Sequence, residues 1–264
     1  MGENALYRLP GAPIMARVGR SVEASRKETA VAAWLQSHQF PVVGLANVEQ
    51  VIVIDGVPVT FWKYIEQSDR PPVSADLGAI LRDLHKLPAP REVQLPAFDP
   101  MPKIDERLRC IGSELPDVDR EFLQHRKSEL QHEFAGIDFE LEPGPIHGDA
   151  HRHNLLREYG TETVRLIDLE DFCWGPREWD LCVEAIGYKA FGWISESDYD
   201  SYVDSYGFDP LRWPGFRVIQ SIRELNMTTW LAQRLGESAA VDAEVHRRLR
   251  DLRDDDAPRE WGTF

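Results

Sequence analysis

Cysteine is scarce in this 264-residue chain: Cys110, Cys173 and Cys182 are the whole complement. None is spaced as Cys-x-x-Cys and the count is odd, which argues against both a disulfide scaffold and a zinc ribbon. Positive charge is also short, with 30 Lys and Arg against 45 Asp and Glu, for a net charge of −15. A nucleic-acid binder needs a basic surface to release counterions, so that class is disfavoured. Such a surface can attract a cationic small molecule, and it also serves solubility. No apolar run approaches the roughly 20 residues that span a bilayer. No internal repeat or low-complexity tract is present, and the N-terminus lacks the basic, apolar and small-residue order of a signal peptide. These absences lead us to expect a globular protein of a reducing cytoplasm, with neither membrane nor nucleic acid among its partners.

The remaining composition is ordinary, 42% hydrophobic and 28% charged. Residues 5–9 and 14–18 read as short strands, with Pro10, Gly11 and Pro13 supplying the turn between them. Val31, Trp34 and Leu35 carry helical spacing through Glu28 to Gln36. Residues 51–54 and 57–62 read as two strands around an Asp55-Gly56 hairpin turn. After a polar linker at Ser68 to Pro72, the pattern becomes helical. Ser74 is a candidate cap for a helix with the stripe Leu77, Leu81 and Leu84, stopped before Pro88. Ile104, Leu108, Ile111 and Leu115 predict another helix, and Phe122, Leu130 and Phe134 a further one. From Leu181 onward the chain reads as mostly helical, with Phe216, Ile219, Ile222 and Trp230 on one long element. The stretch 144–171 interrupts this with short apolar runs.

That stretch carries the chemistry. It contains His147-Gly148-Asp149-Ala150-His151-Arg152-His153-Asn154 and then Leu166-Ile167-Asp168-Leu169-Glu170. Phosphoryl transfer to a hydroxyl needs a carboxylate to receive a proton and oxygen ligands to hold magnesium on the phosphates. Asp149 and Asn154 have the D-x-x-x-x-N spacing of a kinase catalytic loop, and Asp168 follows an apolar strand-like run. The alternating His147, Asp149, His151 and His153 leave a rival open, a metal-dependent hydrolase. A catalytically inactive, kinase-like binding module is a third reading.

H-G-D-x-x-x-x-N followed by I-D-x-E resembles the aminoglycoside phosphotransferase family, over roughly residues 2–235. Gly148 stands where protein kinases have Arg, and Leu169 where they have the Phe of D-F-G; no A-P-E follows. The resemblance implies a protein-kinase-like α+β fold of two lobes. A small β-rich N-terminal lobe would span residues 1–67. A larger, mostly helical C-terminal lobe over 68–264 would hold the catalytic loop and the substrate site. It implies a kinase that moves the terminal phosphoryl of Mg2+-bound ATP, or GTP, to a hydroxyl of a small, cationic or neutral acceptor. Asp149 would be the catalytic base, and Asn154 and Asp168 the magnesium ligands. Arg17 and Glu28 would stand as the strand base and helix acid of the nucleotide site, with Arg where Lys is commoner. His147 and Asp180 would brace the catalytic loop, and Glu170, Asp171 and Glu184 would form an acidic wall for an amine-bearing acceptor. Phe61 to Glu66 would lead into the hinge beside the base. Gly2-Glu3-Asn4 would fall in the phosphate-covering loop, and a longer start would add about ten residues, one strand and its entry.

Overall fold

The computed structural model describes residues 5–264; Gly2-Glu3-Asn4, and with them the expected phosphate-covering loop, lie outside those residues. The chain divides into two compact units. The first comprises residues 1–98, 142–183 and 197–208, and the second residues 99–141, 184–196 and 209–264. This division differs from a single boundary at residue 67, because both units are assembled from separated stretches of chain.

The first unit begins with β1 (Ala5–Arg8), β2 (Ile14–Val18), β3 (Ile52–Ile54) and β4 (Val57–Lys63). They form one antiparallel sheet in the order β1-β2-β4-β3. Asp55 and Gly56 both have positive φ, 52° and 82°, and make the β3–β4 hairpin expected of an Asp-Gly pair. Between β2 and β3 runs α1 (Val22–Ser37), whose Ser21 side chain accepts from the Ala24 N–H as N-cap. It starts six residues before the expected Glu28. Its first turns are polar and carry no apolar stripe, and the cap rather than the periodicity marks their beginning. Val31, Ala32 and Leu35 on its inner face are fully buried.

The chain then pairs twice with the chemistry-bearing segment. Val42 forms a parallel bridge to Leu166, and Gln67 an antiparallel bridge to Glu158. The expected linker therefore runs as a paired edge, with Ser68 N–H donating to Arg157 O at 2.8 Å. α2 (Ser74–Leu84) follows. Its N-cap is Val73, one residue earlier than expected; Ser74 sits inside the helix, and Asp76 accepts from the Val73 N–H at 2.8 Å. Leu77, Leu81 and Leu84 are fully buried as their spacing predicts. Removing one such leucine to Ala costs about 2–5 kcal/mol. A Cβ on Gly78 would lie 2.5 Å from the Tyr202 carbonyl oxygen, so only glycine lets α2 meet the later helix this closely.

Four short strands carry the site: β5 (Gly144–Ile146), β6 (Leu155–Arg157), β7 (Val164–Leu166) and β8 (Cys173–Gly175). They pair as β5 with β8 and β6 with β7, both antiparallel.

The second unit is helical: α3 (Ile104–Ile111), α4 (Asp117–Ala135), α7 (Phe216–Ala232) and α8 (Ala239–Asp251). Between α4 and α7 in the chain come α5 (Glu178–Lys189), shared between the units, and α6 (Glu196–Tyr206), most of which belongs to the first. Ile104, Leu108, Leu123, Leu130, Ile219, Leu225 and Val245 form the second core. Two details differ from expectation. Gly112, at φ 58°, ends α3 before Leu115, which is buried but not helical. Trp230, 36% exposed, stands off the buried face of α7, which instead includes Leu225, Thr228 and Thr229. No described helix is long and apolar enough to cross a membrane.

Candidate active site

The loop from His147 to Asn154 starts where β5 ends. Its backbone is held by one carboxylate. Asp180, fully buried on the first turn of α5, accepts from the His147 N–H at 2.7 Å and the Gly148 N–H at 2.9 Å. His85, at the C-cap of α2, adds Nε2 at 3.2 Å. That contact places the ring proton on Nε2, leaving Nδ1 to accept from the Tyr206 hydroxyl at 2.9 Å. Burial works to raise the Asp180 pKa, but the hydrogen bonds from His85 and from the His147 N–H outweigh it and hold the carboxyl below its usual range. Two further contacts complete the brace. His147 Nε2 donates to Ile167 O at 2.8 Å, and Trp179 Nε1 donates to Gly148 O at 2.8 Å. Gly148 has φ 89°, and a Cβ there would fall 2.4 Å from the Asp171 carbonyl oxygen. The protein-kinase Arg would not fit in this position.

From this loop Asp149 projects with its side chain 49% exposed. Asn154 is buried, and its Nδ2 donates to Asp149 O at 2.9 Å, which fixes the amide so that Oδ1 is the atom left for a ligand. Leu155 pairs with Leu166 across the β6–β7 hairpin, and Ile167 N–H donates to Asn154 O at 3.0 Å. Asn154 and Asp168 therefore leave the same end of that hairpin. Asp168 has φ 59°, a left-handed conformation uncommon for a residue other than glycine.

The loop that follows is tied to the sheet and to α1. Arg17, on β2, reaches Glu28 with Nη1. Its Nη2 lies 3.1 Å from Asp168 and 3.4 Å from Glu170. Burial pushes the Glu28 carboxyl up to about 7; Arg17 and the Leu169 N–H pull against this, while Asp168 and Glu170 add to it. Beside it Lys27 points Nζ at the carbonyl oxygens of Glu170 and, at 3.1 Å, Phe172.

The structure thus brings together nine of the ten residues singled out from sequence within the first unit: Arg17, Glu28, His147, Asp149, Asn154, Asp168, Glu170, Asp171 and Asp180. The residues of the expected acidic wall fall in both units. Glu170 is turned to Arg17, and Glu184 is buried on α5 and belongs to the second unit. The hydrolase cluster does not converge, because His147 is buried against Ile167 and His153 is exposed. Among the described residues no three His, Cys, Asp or Glu side chains are grouped to hold a metal ion. The oxygens of Asn154 and Asp168 suit a different arrangement. Mg2+ takes one or two protein oxygens and completes its shell with phosphates and water, so the residues present fit a metal brought with a nucleotide. Sequence reasoning missed Lys27, Trp179 and Tyr206 and gave His85 no role. The one available signal was position, Lys27 beside Glu28 and Trp179 beside Asp180.

A sheet carrying a buried basic–acidic pair, a braced His-Gly-Asp loop and a second Asp after a hairpin define the class: the protein-kinase-like α+β fold of small-molecule kinases. The model of the phosphotransferase enzyme family matches residues 15–219, and the chain belongs to that family. Solved structures agree on the fold. An amicoumacin kinase in complex with AMP-PNP, Ca2+ and Ami superposes with a TM-score of 0.72 at 15% identity, covering 99% of this chain and 89% of that one. A microcompartment-associated aminopropanol kinase gives 0.71 at 17% identity, covering 96% and 88%. The choline kinase of Streptococcus pneumoniae gives 0.66 at 15%, covering 94% and 89%. Comparison with curated protein sequences finds no match.

Proposed function

We propose that this protein is an O-kinase that moves the terminal phosphoryl of ATP to a hydroxyl of a small acceptor. The observation that carries the reading is the pairing of an exposed carboxylate, Asp149, on a rigidly braced loop with Asn154 and Asp168 at the end of one hairpin. In this reading Asp149 accepts the acceptor's hydroxyl proton. The hydroxyl oxygen bonds to the terminal phosphorus, the bridging P–O bond breaks, and ADP leaves. Asn154 and Asp168 would hold Mg2+, which would supply charge neutralisation on the phosphates. Arg17, oriented by Glu28, would meet the phosphates. Positioning and fixed charge supply most of the rate, since phosphoryl transfer asks little covalent chemistry of the protein. The functional division falls at residue 67, with nucleotide held by the sheet side and acceptor by the remainder, and the natural setting is the cytoplasm.

For the acceptor we favour a hydroxyl-bearing amine. The net charge of −15 favours approach of a cation. Two structural neighbours are named for amino alcohols, choline and aminopropanol. The test is Mg2+-dependent ADP release from ATP, with GTP in parallel, across a panel of amino alcohols, aminoglycosides and sugars. One compound should stimulate turnover and be found phosphorylated, and Asp149→Asn should abolish the stimulation. Stimulation that survives in that variant would overturn the assignment of the base.

A further inference from the structure

The segment Asp168 to Phe172 is short, bent and conformationally costly, and one lysine closes it. Asp168 carries its carboxylate from a left-handed backbone, a strained conformation that persists only when its surroundings over-determine it. Leu169 and Phe172 are buried on either side, and Phe172 N–H donates weakly to Leu169 O at 3.3 Å. Between them Glu170 and Asp171 are exposed. That bend of itself offers few bonds to fix where Asp168 points. Lys27 supplies them. Its ammonium has three hydrogens and no acceptor, so one atom can serve the carbonyls of Glu170 and Phe172 together.

The choice of residue is informative. Lys27 is half-buried, and burial lowers its pKa against the pull of Asp171, Cys173, Glu28 and Glu170. A charged group withdrawn from water to serve two neutral carbonyls is an expensive way to fill space. It is an efficient way to fix two points of a bend at once. Lys27 also neighbours Glu28 on α1, which Arg17 reaches from β2. Lys27 thus grips two backbone groups of this segment, at positions 170 and 172. Arg17 adds side-chain contacts to Asp168 and Glu170 from β2.

We propose that Lys27 is a positioning residue for the metal side of the site: by holding the carbonyls of Glu170 and Phe172 it sets the direction of the Asp168 carboxylate. This rests on the kinase reading above. Outer partners that orient a metal ligand are worth roughly 10–100-fold in metal affinity, and Lys27 belongs in that range.

The experiment is calorimetric binding of AMP-PNP with and without Mg2+ to the full chain, for wild type, Lys27→Met and Lys27→Arg, with thermal melts of each. Met keeps the length of the stem and removes the donors; Arg keeps charge and several donors. Lys27→Met should lose roughly tenfold or more of the Mg2+-dependent gain in affinity while metal-free nucleotide binding stays near wild type, and Lys27→Arg should recover part of it. Hydrogen exchange at the amides of residues 169–172 should speed up in Lys27→Met without ligand. If Lys27→Met does not fold, Lys27→Gln, which keeps one amide donor, takes its place in the same comparison. An unchanged Mg2+-dependent gain would overturn the proposal, as would equal loss with and without metal. Wild type that binds no nucleotide with Mg2+ would instead sink the kinase reading itself, so the two failures are distinguishable.

Discussion

The two loops of the candidate site are held by opposite means. The loop of His147 to Asn154 is fixed from below by a carboxylate with no exposure, Asp180, whose partners His85, His147 and Gly148 saturate it. The segment of Asp168 to Phe172 is fixed from the side by cations, Arg17 and Lys27, and its own acids face solvent. In the first arrangement every named donor has an acceptor. The second crowds Glu28, Asp168 and Glu170 around one guanidinium, an excess of negative charge that a metal and its phosphates would reorganise.

The largest effects should separate the chemistry of the first loop from its support. Asp149→Asn leaves every brace intact, so the fold and nucleotide binding should persist while acceptor-stimulated turnover falls about a hundredfold to ten-thousandfold. A steady-state assay beside calorimetry checks this. Asp180→Ala works from the other direction. It strands two backbone N–H groups and the His85 ring in a buried site, and losing one partner of a buried network costs about 3–5 kcal/mol. Denaturant unfolding should show that loss even without ligand. A small change in stability would mean that the loop is held by His147 and Trp179 rather than by Asp180.

The brace was only half legible in the sequence, and the reason is distance. Asp149, Asn154 and Asp168 stand in a recognisable local order, so their spacing announces them. Asp180 was placed as a brace, but its partner His85 lies 95 positions away, and Tyr206 lies 121 positions from His85. Nothing in a single sequence couples such residues. The strands and the Asp55-Gly56 turn were readable because alternation and turn chemistry are local properties. The start of α1 was missed because its first turns are polar, and periodicity needs apolar residues to show itself. Lys27 was invisible for a related reason: a lysine among Glu23, Arg26 and Glu28 looks like one more solvated charge until the segment it grips is in view.

The second loop should respond to pH where the first does not. Burial holds the folded Glu28 carboxyl up at about 7, against about 4.5 for an ordinary glutamate. A carboxyl with a raised folded pKa contributes stability below its unfolded pKa and loses that contribution as pH rises to the folded one. Between pH 4.5 and 7, without metal or nucleotide, Glu28 should therefore remove about 3 kcal/mol from stability as it ionises. Asp180 has the opposite sign: its depressed pKa supports the fold above the ordinary aspartate range, and that support fades only in stronger acid. Glu28→Gln should flatten the stability profile between pH 5 and 7. A profile unchanged by that substitution would mean that Arg17 already keeps Glu28 ionised across the window.

The smallest effect offers the finest comparison between the loops, because a thiol sits at the end of one of them. Cys173 opens β8 directly after Phe172, is nearly inaccessible, and burial pushes its pKa up to about 12. The thiolate is the reactive form, so at pH 8 Cys173 should modify slowly in the intact protein, as should buried Cys182, while exposed Cys110 reacts at once. Release of Cys173 then requires the segment to open locally, and its rate reads how firmly Lys27 holds it. Mass-resolved labelling should find Cys173 slowed further by Mg2+ with AMP-PNP, which adds ties on the metal side, and Cys182 unaffected. Equal protection of both cysteines would show that nucleotide tightens the whole unit and that the two loops do not differ in freedom.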